Sequence, residues 1–145
     1  METYETLIGD PECCAALGRM TLAAARLESD LRVFLTLNEV EVGATETLGG
    51  LVGKLTSSRL LSDNGRDIMR TLKRQRNYLT HSLYDLFAAR VEEDIMSRDE
   101  LLDFGLFAER AWILEGNLTG FCEIAERRIR ELQQGGPIGQ LLFTP

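Results

Sequence analysis

The chain has 145 residues, 44% of them hydrophobic, and a formal net charge of −7. That length and apolar content suit one domain with a core of its own, and the acidic balance excludes the broad basic surface of a non-selective nucleic-acid binder. Only three prolines, few β-branched alternations and long runs of Ala, Leu, Glu and Arg predict an all-α protein, an up-and-down bundle of four to five helices with a long C-terminal helix.

The opening segment, Met1-Glu2-Thr3-Tyr4-Glu5, is acidic and lacks the basic and apolar regions of a signal peptide. No apolar run is long enough to span a bilayer, so the expectation is a cytoplasmic protein with no membrane partner. Three cysteines, Cys13, Cys14 and Cys122, make an odd number with no metal-ligand spacing, and reduced, packed thiols are expected. With a single histidine as well, no metal or other cofactor is called for.

Asp10-Pro11 starts the first helix, Asp10 as the cap and Pro11 at the first helical position, where its missing N–H costs nothing. The helix should run to about Asn38, with Leu17, Ala24, Leu27, Leu31, Phe34 and Leu35 as its apolar stripe and Ala23-Ala24-Ala25 allowing close approach of another helix. Glu28, near the stripe, reads more readily as a stripe-edge residue in an ordinary ion pair than as a partly buried acid facing the helix that carries Arg76. Glu41 to Ala44 form a loop. Thr45 or Thr47 then opens a short helix through Leu48, Leu51, Val52 and Leu55, in which Gly49, Gly50 and Gly53 point to tight packing rather than to a ligand. No strand precedes these glycines, which excludes a P-loop reading.

Ser62-Asp63-Asn64-Gly65 is a turn and cap before a helix expected to end near Ala89. At 100° per residue Ile68, Leu72, Leu79, Leu83 and Leu86 share one apolar arc. Arg76 falls at the edge of that arc, while Lys73, Asn77, His81 and Tyr84 cluster beside it. Asn77 and His81 are one turn apart, and Asp85 is one turn beyond His81, placed to hold its imidazole. Between residues 63 and 90 stand Arg66, Arg70, Lys73, Arg74, Arg76 and Arg90 against Asp63, Asp67 and Asp85, whereas residues 91 to 103 carry six acids and one Arg. A local basic strip on an acidic body suits a narrow phosphate site, with Lys73 and Arg70 as candidate substrate contacts.

Arg90 to Met96 form a charged connector. Ser97-Arg98-Asp99-Glu100 has the form of a capping box, opening a helix to about Gln134. Its stripe is Leu101, Phe104, Ala108, Ala111, Leu118, Cys122, Ala125, Ile129 and Leu132, widened by Ile113, Phe121 and Ile124, a breadth that a second copy of the chain would help to cover. Gly135-Gly136-Pro137 stops the helix, and the apolar tail Ile138 to Pro145 is expected to fold back on its own bundle. No internal repeat or second domain is seen, so residues 1–145 form one helical domain with a short tail from about residue 135.

An Arg followed by Asn, three further residues and His, on a helix of an all-α bundle with Tyr84 and Phe87 after the histidine, resembles the HEPN superfamily. The likeness extends to the helical layout and to the Thr47-Leu48-Gly49-Gly50-Leu51 entry of the preceding helix. It implies a metal-independent endoribonuclease working as a homodimer, with two Arg-x4-His motifs lining one groove, and a toxin or stress and defence effector restrained by an antitoxin or other regulatory protein. Arg76, Asn77 and His81 would be catalytic, and Lys73, Arg70 and Tyr84 would contact RNA. His81 suits proton transfer near neutral pH, Arg76 offers a charged fork to phosphate, Asn77 would orient His81 or bond to phosphate, and Tyr84 would stack a base or hydrogen-bond the substrate. One toxin group of the superfamily continues as His-x-Tyr, with a tyrosine that its partner modifies; here Leu83 holds that place and Tyr84 follows. The bland alternative is Arg76 snorkelling into a salt bridge and His81 on the surface, in a non-catalytic helical dimer that serves as a regulatory or interaction module, like the mannitol-repressor-like proteins.

Overall fold

The computed structural model describes residues 5, 8–81 and 104–143, with side chains excepted at His81 and residues 104–106. Leu83, Tyr84, Asp85, Leu86 and Phe87, the helix end near Ala89, the connector, the capping box at Ser97 and the stripe residue Leu101 all lie outside the described residues. So does the side chain of Phe104.

Apart from helical residues at Glu5 and Ile8, four helices account for the regular structure among the described residues: α1 (Pro11–Leu37), α2 (Leu48–Ser57), α3 (Asp63–His81) and α4 (Phe104–Gln133). The all-α class and the long C-terminal helix are as the sequence requires. The starts of α1, α2 and α3 follow the capping signals. Asp10 accepts from the Cys13 N–H at 2.8 Å with Pro11 at the first turn, Thr47 accepts from Gly50 N–H at 3.3 Å, and Ser62 Oγ accepts from Gly65 N–H at 3.0 Å.

Three helices end in the same way. After α4, Gly136 N–H donates to Glu131 O and Gly135 N–H to Leu132 O, with Gly135 at φ +88°. After α1 the pair is Val40 to Leu35 and Glu39 to Thr36; after α2 it is Leu60 to Leu55 and Arg59 to Thr56. These are Schellman caps, but two of them place a non-glycine residue in the left-handed region, Glu39 at φ 64° and Arg59 at φ 59°.

Cross-helix bonds fix the layout. Arg19 pairs with Glu115, the Cys122 thiol faces Ala23 O, Arg26 pairs with Glu126, and Asn38 Oδ1 accepts from Gly139 N–H. The partner number rises along both helices, so α1 and α4 run side by side in the same direction. Against α4, α3 runs the other way: Ile68 and Phe121 line one groove together, and Leu79 and Arg110 another. The three long helices therefore go up, down and up, with α2 linking the first two. The α1–α4 seam buries small side chains, Ala16, Ala23 and Ala24 with Ala108, Ala111 and Ala125, which is what close approach of two backbones needs.

The tail folds back as expected. Leu142 and Phe143 are buried, Leu142 N–H donates to Leu60 O at 2.9 Å, Arg128 Nε donates to Leu142 O at 3.0 Å, and the Phe143 ring lies 5.1 Å from that of Phe121. Gly65 is the close approach that lets Phe143 in, since a Cβ there would meet the ring at 3.3 Å. Phe121 and Ile124 thus have neighbours within the chain, and part of the breadth of the α4 stripe needs no second copy. Ile113 and Trp112 stay 51% and 39% exposed. Cys13 and Cys122 are buried, their thiols pushed up to about 11 first by burial, whereas Cys14 is exposed, contrary to a packed thiol. No described helix is long and apolar enough to cross a membrane.

Relieving the left-handed strain at Arg59 tests the cap. Arg59→Gly should raise unfolding stability by about 0.5–1 kcal/mol in urea titrations, because glycine meets no Cβ clash there; a loss of stability would contradict the cap geometry.

Candidate functional site

The residues singled out from the sequence lie on α3, and its core face is broader than their pattern suggested. Met69 is fully buried and Tyr78 nearly so, alongside Leu72 and Leu79, with Ile68 packed at the rim. On the helical wheel Arg76 falls between Met69 and Leu72, so it leaves α3 from within the buried face rather than from its edge. Its side chain is 22% exposed.

A cation there needs partners, and two are found among the described residues. Arg76 NH1 donates to Asn77 Oδ1 at 2.9 Å. Its NH2 lies 3.7 Å from Glu28 Oε1 on α1, and its Nε is buried with no hydrogen-bond partner. The same Glu28 oxygen accepts the Leu48 N–H at 3.2 Å, at the first residue of α2, and Oε2 lies 4.0 Å from Arg32. Glu28 is the ion-paired edge residue that α1 predicts. It also faces the motif helix, the option the sequence ranked lower, and it joins α1, α2 and α3 at one point.

The expected role of Asn77 shifts accordingly. Its amide oxygen is taken by Arg76, which leaves its N–H2 donors for a ligand or a neighbour. Lys73 lies beside α2, its stem 3.1 Å from where a Gly49 Cβ would be, so Gly49 serves packing as expected. Gly50 likewise makes room for the Glu46 side chain. Arg70 and Arg74 are exposed on the side of Asn77, while Arg66 lies near Asp63 and Asp67, at 3.8 and 3.5 Å. Among the described residues the basic strip comprises Arg66, Arg70, Lys73, Arg74 and Arg76. α3 is helical through His81; the His81 side chain and Tyr84 are outside the described residues.

Among the described residues no group of three or more His, Cys, Asp or Glu is placed to hold a metal ion. Comparison with protein-family models, with curated proteins and with solved structures returns no match. The functional reading therefore rests on the residues of α3 and what they touch.

A second polar cluster, on the α1–α4 seam, escaped the sequence reading. Asp30 sits against Glu126, itself paired with Arg26 at 2.9 Å, and one Asp30 oxygen is buried without a partner. Burial first, then the Glu126 charge, push the Asp30 carboxyl from its ordinary 3.8 up to about 6. A carboxyl raised on folding favours the folded state below its ordinary pKa, and that contribution disappears as pH rises through the folded value. Asp30→Asn should therefore be more stable than the parent at pH 7 and lose the fall in stability between about pH 4 and 7; denaturant titrations giving parallel pH profiles for the two proteins would refute the assignment.

Proposed function

We propose that the chain is a metal-independent endoribonuclease of the HEPN type, a homodimer with a composite site, acting as a toxin or stress and defence effector restrained by a protein partner. The observation that carries this reading is the Arg76–Asn77 bond, which ties the motif's guanidinium to its carboxamide. A permanent planar cation next to a carboxamide suits a phosphodiester, whose oxygens gather negative charge in the transition state.

In the reaction, His81 accepts the ribose 2′-hydroxyl proton, the 2′-oxygen attacks phosphorus, and the bond from phosphorus to the 5′-oxygen breaks. The leaving oxygen takes a proton from a general acid, a place the partner copy's motif would fill, while Arg76 stabilises the crowded phosphate. Lys73, Arg70 and Tyr84 would position the strand, and the acidic body would keep contact local.

A second reading is the non-catalytic helical dimer used for regulation. The Arg76–Glu28 ion pair favours it, because an arginine that joins two helices has a structural task without any substrate.

Cleavage assays separate the two. His81→Ala should lower RNA cleavage by about a hundredfold to ten-thousandfold while leaving RNA binding nearly intact, and Arg76→Ala should weaken both. The products should carry 2′,3′-cyclic phosphate and 5′-hydroxyl ends. A fall below about tenfold in His81→Ala would remove His81 as the base, and 5′-phosphate ends would point to attack by water. Static light scattering at micromolar concentration should give twice the mass of one chain. A monomer there would eliminate the composite site.

A further inference from the structure

Glu28 is more than a stabilising counter-charge: we propose that it is the positioning residue for Arg76, aligning the guanidinium for the substrate phosphate. This rests on the ribonuclease reading above and deepens it.

Arg76 emerges from the buried face of α3, where a free arginine would take whichever of its many rotamers packed best. Two fixed acceptors limit that choice. Asn77 Oδ1 holds NH1 at 2.9 Å and Glu28 Oε1 lies 3.7 Å from NH2, while Nε is buried and so withdrawn from any ligand. Only the unshared N–H groups of the two terminal nitrogens remain to meet an anion. Glu28 itself is fixed: it is 17% exposed, its Oε1 accepts the Leu48 N–H, and Arg32, whose NH2 donates to Glu46 O at 2.8 Å, flanks its other oxygen. The carboxylate is thus a rigid post anchored on α1 and α2 and facing the motif helix. At 3.7 Å its pairing with Arg76 is loose enough for a phosphate to share the cation without displacing the post.

Cleavage of a fluorescent single-stranded RNA of mixed sequence, with binding of its 2′-O-methyl analogue, tests the proposal. Glu28→Ala should lower kcat by about tenfold or more with KM and analogue binding changed less than about threefold, since the lost quantity is alignment in the transition state. Glu28→Gln keeps an oxygen for the Leu48 N–H and protects the fold; it should retain more activity than Glu28→Ala. The double variant Glu28→Ala/Arg76→Ala should be no slower than Arg76→Ala alone, because Glu28 acts only through Arg76. Full kcat in both Glu28 variants, or losses that multiply in the double variant, would overturn the positioning role while leaving the ribonuclease reading intact. A lower melting temperature with unchanged kcat would assign Glu28 to stability alone. Absence of cleavage by the parent protein would overturn the ribonuclease reading and this one with it.

Discussion

The parallel pairing of α1 and α4 is the constraint on which the rest of the fold depends. Two long helices that run the same way and touch along their length cannot be consecutive partners of a tight hairpin, so the chain must return between them, and α3 is that return. Buried alanines on both helices let the backbones approach while leucines fill the seam, and its rims carry the Arg19–Glu115 and Arg26–Glu126 pairs. Such exposed pairs are each worth about 0–1 kcal/mol, so they set register more than they add stability. The apolar seam supplies the stability.

With α1 and α4 fixed, α3 packs where it buries Met69, Leu72 and Leu79, and that burial carries Arg76 inward with them. An arginine in such a place is costly unless paired. The side chain resolves the conflict in two ways, by bonding to Asn77 and by meeting Glu28. The same pairing ties the motif to α2, since Glu28 also holds the first N–H of that helix. One carboxylate thus joins α1, α2 and α3.

The tail illustrates a second kind of closure. Asn38, at the end of α1, is buried and gives its Nδ2 hydrogen to Phe34 O while its oxygen takes the Gly139 N–H. From there the tail runs back to bring Phe143 against Phe121 and Gly65. Apolar breadth that would otherwise invite a second chain is partly consumed in this way, leaving Ile113 and Trp112 exposed among the described side chains of α4.

The starts of α1, α2 and α3, the glycine stop after α4, the stripe of α1 and the all-α class were legible in the sequence. Each depends on interactions within a few residues, a cap bonding three positions ahead or an apolar face repeating every turn. The left-handed ends at Glu39 and Arg59 were not legible, because neither residue type signals that conformation and the bonds that hold it are backbone to backbone. For the candidate site, sequence alone identified the helix, the residue types and the acid at the edge of α1. Placing Arg76 depended on Met69, whose inclusion in the stripe moves the arginine from the rim to the interior. Only tertiary structure decided that Glu28 meets Arg76, that Asn77 spends its oxygen on that same guanidinium, and that Asp30 lies against Glu126. These partners sit on helices far apart in the chain or compete for one acceptor, and no local periodicity specifies which charges become neighbours once the apolar faces close.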